Sequence, residues 1–283
     1  MVLHFLDSLP VWLMALIICG GSVLVTTAVQ LALHQRWSVE ARRPLNEIAG
    51  FIIAVVGVVY AVLLASIAIL AIERYDRAEQ VSQTEAGLVS DLYRDAAGLS
   101  QPLQGEVRAT LMDYLATVID VEWPIMEAND VGPAGWQGHG WADLTRLLDG
   151  FARYEPQTSG QTVFMQEMLG RINDLNDARR LRMFAAGNAL DGVIWWVVIA
   201  GGIGTVAMAL LFGVSSPGHI VISNLLAFSI SLVIVLIVSM DRPFTGQPSV
   251  TPEPFRYVQE KLQALKPQAE SVPALTFGRL AQR

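Results

Sequence analysis

Cysteine occurs once, at Cys19 inside an apolar run, so no intrachain disulfide can form and thiols say nothing about redox compartment. Lysine is nearly absent, with Lys261 and Lys266 the only two. Charge of either sign is scarce. Asp, Glu, Lys and Arg make up 16% of the 283 residues, against roughly 25% in an ordinary soluble domain. The formal net charge of −7 offers no basic field to nucleic acid, which excludes that partner class. The histidines, His4, His34, His139 and His219, lie far apart and share no ligand spacing, so no metal site is expected. Ser215, Ser216 and Ser223 have no base nearby, and no Gly-rich nucleotide loop occurs. No catalytic constellation and no cofactor are therefore expected. Asn173-Asp174-Leu175-Asn176-Asp177 lacks the glycine and distal glutamate of a calcium loop. It reads as a solvated helix face beside Arg179, Arg180 and Arg182.

The apolar share is 53%, and it is concentrated. A spanning helix needs roughly 20 apolar residues to cross a hydrocarbon core of about 30 Å. Ser8 to Leu33 carries no charge, nor does Ile48 to Ile72. Between Asp191 and Asp241 there is no Asp, Glu, Lys or Arg, and Ser215-Ser216-Pro217-Gly218-His219 breaks that run into a hairpin. The expected plan is an N-terminal tail at 1–8 and spans at 9–33 and 48–72 joined by a short loop at 34–47. A helical extramembrane domain at 73–192 follows, then spans at 193–214 and 220–240. A Pro-rich tail with a short amphipathic helix occupies 241–283. Trp12, Trp195 and Trp196 fall near span ends, where interfacial tryptophan belongs. The first run is read as an uncleaved span. Its flank lacks Lys and Arg, it outruns a signal h-region, and no small-x-small site follows it.

An even number of spans puts both termini and the insert on one face. Arg36, Arg42 and Arg43 lie on the other; Arg74, Arg77, Arg179, Arg180, Arg182 and Arg242 lie on the insert's side. The count of six against three favours a cytoplasmic insert.

Within the insert, Leu103, Val107, Leu111, Leu115 and Val118 form one helical stripe, expected to kink or end at Trp123-Pro124. Val131-Gly132-Pro133-Ala134-Gly135 reads as a loop. Leu144, Leu148 and Phe151 mark a third helix, and Phe164, Met168, Ile172 and Leu175 a fourth. Thr251-Pro252 fits an N-cap followed by proline at the first helical position. Phe255, Val258, Leu262 and Leu265 would form that helix's apolar side, with disorder expected beyond Pro267.

The second span is the most informative. No Gly or Pro breaks it at the membrane edge, so it should run on past Glu73-Arg74-Tyr75-Asp76-Arg77 to about Ala97, with Glu73 and Arg77 in the favourable i,i+4 order. Gly50, Ala54, Gly57, Ala61 and Ala65 recur every three or four residues. They suit close helix packing or, with Tyr60, Leu64 or the bulky Val55, Val56, Val59 and Leu63 facing an axis, an apolar pore neck. Gly20-Gly21 and Gly201-Gly202 read as packing sites. No charge lies inside any span, which excludes a carboxylate relay of the pump type. Glu73, Asp76, Arg77, Arg179, Arg180, Arg182, Asp241 and Arg242 gather at span ends and are expected to form an interfacial ion-pair collar.

Several runs resemble the bacterial bestrophin-like membrane proteins. They are Glu47-Ile48-Ala49-Gly50-Phe51, Val56 to Ala65, Tyr75-Asp76-Arg77-Ala78, Glu122-Trp123-Pro124, and Asn176-Asp177-Ala178-Arg179-Arg180. To these belong Asp241-Arg242-Pro243-Phe244-Thr245-Gly246 and Val250, Pro252, Glu253, Pro254 and Phe255. The resemblance implies an all-α integral membrane protein of the bacterial plasma (inner) membrane, with two span pairs flanking a helical insert and cytoplasmic termini. Bestrophins are pentameric anion channels whose second span lines the pore. The implied partners are the lipid bilayer, further copies of the chain in a homo-oligomer, and small anions. No calcium-clasp motif follows the last span, and no bestrophin neck motif transfers residue by residue. The alternative function is a membrane-anchored sensory or interaction protein acting through the 73–192 domain.

Overall fold

The computed structural model describes residues 9–131, 138–214 and 217–269. The tail at 1–8, nearly all of the Val131–Gly135 loop, Ser215-Ser216 and the chain from 270 onward lie outside the described residues, and so do the expectations that fall on them. Among the described residues the chain is helical, with no strand.

Helix α1 (Val11–Arg36) starts where the Pro10 carbonyl accepts the Leu13 and Met14 N–H groups, and its last turn carries His34 and Arg36, the favourable sign for a C-terminal dipole. A short α2 (Val39–Arg42) is capped by Ser38, whose Oγ accepts the Ala41 N–H at 3.3 Å. A single 3-10 turn leads into α3 (Asn46–Asp95), 50 residues without interruption. No proline occurs inside it to remove a backbone donor. Then come α4 (Leu103–Thr117), α5 (Trp123–Glu127), α6 (His139–Ala152) and α7 (Ser159–Gly187). The chain closes with α8 (Gly192–Leu210), α9 (Pro217–Asp241) and α10 (Glu253–Ala269). Among the described residues, four helices have the length and composition to cross a membrane: α1, α3, α8 and α9.

Two compact units divide the chain. The first spans Met1–Gln80, Met126–Val131 and Arg182–Val250, and so holds the apolar helices. Its core joins Tyr60, Leu64, Ala68 and Ala71 of α3 to Leu190, Val198 and Ile237. Met14 and Cys19 of α1 pack with Val235 and Val238 of α9 in a second cluster. The second unit spans Val81–Ile125, Gly132–Leu181 and Thr251–Arg283. There the whole expected stripe of α4, Leu103 to Val118, is buried, as are Met168, Ile172 and Leu175 of α7 and Phe255, Val258 and Leu262 of α10.

Several expectations need correction. Of the kink or end expected at Trp123-Pro124, the end does not occur. A π turn at Val118–Glu122 precedes Pro124, and the Trp123 N–H bonds to the Val118 carbonyl, five residues back. Widening the turn relieves the clash between a proline ring and the carbonyl four residues earlier, so α5 continues to Glu127. In α6 the buried large apolar residues are Leu144, Leu147 and Phe151, while Leu148 is exposed. Phe164 and Leu265 are also exposed. Helix α8 stops at Leu210 rather than Val214. Pro252 stands one position before α10, its carbonyl accepting the Phe255 and Arg256 N–H groups, and α10 runs on through Pro267 to Ala269. The C-terminal segment from Thr251 groups with the second unit.

Candidate functional site

The membrane part of α3 has two faces. Tyr60, Leu64, Ala68 and Ala71 point into the unit. Ile48, Phe51, Val55, Val58, Val59, Val62 and Ile69 point out of it, with Phe51 74% exposed. The small residues divide between these faces. Gly50 lies within ordinary contact of Phe212, Gly57 has open space beside it, and Ala54, Ala61 and Ala65 are exposed. Tyr60 and Leu64 are therefore not free to line an axis within this fold. The Tyr60 hydroxyl donates to the Val198 carbonyl at 2.9 Å, and its ring lies against Gly201 and Gly202. A Cβ at Gly201 would overlap that ring, so the glycine pair is a packing site, as its spacing suggested. Gly20 and Gly21 are different, because no atom approaches where their Cβ would stand.

Helices α1, α8 and α9 share a seam of neutral polar contacts. Thr27 and Asn224 bond at 2.8 Å. His219 sits between Gln30 and the Ala209 carbonyl, 3.0 Å from each. A carbonyl only accepts, so His219 Nε2 carries the proton and Nδ1 accepts from the Gln30 amide. At the same end, Asn46 clamps the hairpin turn: its Oδ1 accepts the Gly213 N–H at 2.8 Å and its Nδ2 donates to the Gly213 carbonyl at 3.5 Å. Gly213 is required by close approach, since a Cβ there would collide with the backbone of Val39, Arg42 and Arg43. Arg42 is fully buried and donates from Nη1 to the Leu210 carbonyl at 3.1 Å, capping α8 at its negative end.

The residues of the expected collar divide between the two units. Asp241 is buried in the membrane unit. Its Oδ1 accepts the Leu190 N–H at 2.6 Å and its Oδ2 accepts the Trp195 indole N–H at 3.3 Å, so it ties the start of α8 to the end of α9. Arg182 is also buried there, donating toward the Met126 sulfur at 3.3 Å. Glu73, Asp76 and Arg77 are exposed, and among the described residues no ion pair joins Glu73 to Arg77. Arg242 is half-buried within the membrane unit. Arg179 and Arg180 belong to the other unit. Arg180 pairs with Asp177 on the surface at 3.0 Å. The collar grouped residues by depth along the sequence, and the helices turn their side chains in different directions.

Arg179 has the most developed setting. Its Nε and Nη2 reach Glu122 Oε1 at 3.0 and 2.6 Å, and both side chains are 3% exposed. The Gly140 N–H donates to the same oxygen at 3.2 Å. A Cβ at Gly140 would overlap both the carboxylate and the guanidinium, so only glycine fits. Next to Glu122, Trp123 packs on Phe255 with ring centroids 5.7 Å apart. The runs around Glu122, Arg179 and Phe255 thus meet in one unit. A family model described as the Bestrophin-like domain matches residues 20–255. The chain belongs to the bestrophin-like family. No curated protein and no solved structure matches it.

In this bestrophin-like chain the end motif Asp241 to Gly246 is also architectural. Thr245 N–H bonds the Arg242 carbonyl, Val250 N–H bonds the Pro243 carbonyl at 2.7 Å, and Gly246 takes φ 75°, which favours glycine. On the surface of the second unit, Arg171 bridges Asp91, Asp95 and Glu167 at 3.0, 3.3 and 3.1 Å. The hydrogen bond to Glu167 raises the guanidinium pKa above its ordinary value, and the Asp95 and Asp91 charges add to that. Sequence reasoning missed the partners of Glu122, Arg42 and His219. Arg179 lies 57 residues from Glu122, Leu210 lies 168 from Arg42 and Gln30 lies 189 from His219, and no periodic signal links them.

Proposed function

We propose that this protein is a channel-like, homo-oligomeric membrane protein that passes small anions through an axial pore to which α3 contributes. Membership of the bestrophin-like family supports a channel-like role. The observation that carries the reading is the outward face of α3. From Ile48 to Ile69 it is exposed, apolar and free of charge, the surface that a symmetric ring of helices would close into a dewetting constriction. The pore candidates are therefore Val55, Val58, Val59 and Val62 with Ala54, Ala61 and Ala65 beside them. Tyr60 and Leu64 brace the wall from behind. Gly50 belongs to helix packing against Phe212, and Gly57 faces open space. The arginine distribution supports a cytoplasmic insert and termini, in a bacterial inner membrane.

The test is anion flux from liposomes containing the purified full chain, together with subunit counting in detergent. The expected result is a closed oligomer whose flux changes on Val59→Asp. A strictly monomeric particle with no flux under any ionic condition overturns the proposal.

A further inference from the structure

Helices α1 and α8 both flank α9, and between the three lies a groove of about 360 Å³. Gly21, Ser22 and Thr26 line one wall, Gly202, Ala207 and Leu210 another, and Ala227 and Ser231 its floor. Its surface is almost wholly apolar. Small side chains make it: with no Cβ at Gly21 and nothing near that position, the helices part rather than interlock. Along α8 it runs from Ile199 to Leu210, about 16 Å at 1.5 Å per residue. That is about half of a 30 Å hydrocarbon core, the depth of one leaflet.

We infer that this groove seats one acyl chain of an anionic phospholipid, with the phosphate held at the loop that follows α1. The cross-section chooses the occupant. About 360 Å³ spread over about 16 Å leaves about 22 Å², close to that of a methylene chain whose carbons pack at about 4 Å. A helix about 10 Å across is too wide to enter such a groove and could offer it only side chains, whereas a methylene chain fills it along its length. Charge chooses the headgroup. The groove reaches Leu210, the residue whose carbonyl receives Arg42. The loop that follows α1 exposes Arg36 and Arg43, the two charged donors open to a phosphate, beside Glu40 and Glu47, and with the buried Arg42 its formal charge is one positive. The basic last turn of α1 lies seven residues, about 10 Å, beyond Val29 of the groove wall.

The experiment titrates the full-length protein in detergent with phosphatidylglycerol or phosphatidylcholine and counts bound lipid by native mass spectrometry. One tightly held phosphatidylglycerol per chain is expected. Gly21→Leu and Ala207→Phe, which fill the groove, should weaken it tenfold or more. Val221→Phe, exposed outside the groove, should not. Because filled grooves can disturb folding, Arg36→Gln with Arg43→Gln gives a second arm: surface changes that should erase the preference over phosphatidylcholine while leaving helicity unchanged. Undiminished lipid in folded groove variants overturns the inference. So does a wild type that holds no lipid and whose oligomer falls apart when the groove is filled, which would make the groove a contact between copies. Anion flux does not enter this readout, so its result is separate from that of the channel proposal.

Discussion

The two units bury polarity in different ways. In the helical unit a full ionic pair, Glu122 and Arg179, is sunk with a backbone donor on the same oxygen. In the membrane unit the interhelical contacts are neutral: Tyr60 to a carbonyl, Thr27 to Asn224, Gln30 to His219. Of its buried ions, Arg42 and Asp241 meet peptide or indole groups at helix ends, and Arg182 reaches the Met126 sulfur. Where water is near, two desolvated charges can be matched to one another. Between lipid-facing helices a charge is costly at any depth, and amide, hydroxyl and imidazole groups satisfy one another more cheaply. Such polar contacts across membrane helices contribute modestly, about 0.6 kcal/mol on average. The membrane unit therefore depends on close packing, and the helical unit on a few matched groups.

That contrast predicts its own ranking. Arg179→Ala leaves the Glu122 carboxylate buried without its main partner and should destabilise by about 3–5 kcal/mol. The readout is the midpoint of thermal unfolding of the helical unit, followed by proteolysis of the full chain. The double change Glu122→Gln with Arg179→Met should recover much of the loss. If Arg179→Ala alone is neutral, the pair is not the keystone of that unit.

Second in size is Gly201→Ala. Its Cβ meets the Tyr60 ring, and overpacking of this kind costs about 1–3 kcal/mol. Tyr60→Ala in the same chain should relieve the clash, which a double-mutant cycle would register as coupling. Additive effects would show that the two helices do not pack through this contact. Third is Tyr60→Phe, which removes only the bond to the Val198 carbonyl and should cost about 1 kcal/mol. It should leave anion flux untouched, whereas Val59→Asp should change it. A flux change with Tyr60→Phe would return Tyr60 to the pore.

Much of this architecture was visible along the chain because it is written in local periodicity. Charge-free runs mark the four long apolar helices, and the α4 stripe from Leu103 to Val118 is buried throughout. Near misses such as Leu148 for Leu147 reflect a period of 3.6 sampled by few residues. The face of α3 was harder. Its residues are apolar all round, so the pattern carries no phase. The phase is set far along the chain by Gly201 and Gly202, against which the Tyr60 ring packs. The partners of the collar residues were hidden for a related reason: proximity to a span end gives depth, not direction. Asp241 turns to a backbone N–H and Arg179 to a glutamate 57 residues away.

The smallest effect sharpens the comparison most. Arg171 bridges three carboxylates, yet its side chain is 31% exposed and those of Glu167 and Asp91 are 59% and 47% exposed. Water and salt screen such a network, so Arg171→Gln should cost about 0.2–1 kcal/mol and less as ionic strength rises. The sign of the pH effect follows from its raised pKa. A cation with a raised folded pKa contributes stability that is fully present below its unfolded value and fades only as pH climbs through the folded one. For a guanidinium that window lies in strong alkali, so melts at neutral and mildly alkaline pH should show no slope from Arg171. Equal losses for Arg171→Gln and Arg179→Ala, at any salt, would mean that burial does not separate the two arginines. The contrast between paired ions inside the helical unit and paired ions on its surface would then fail.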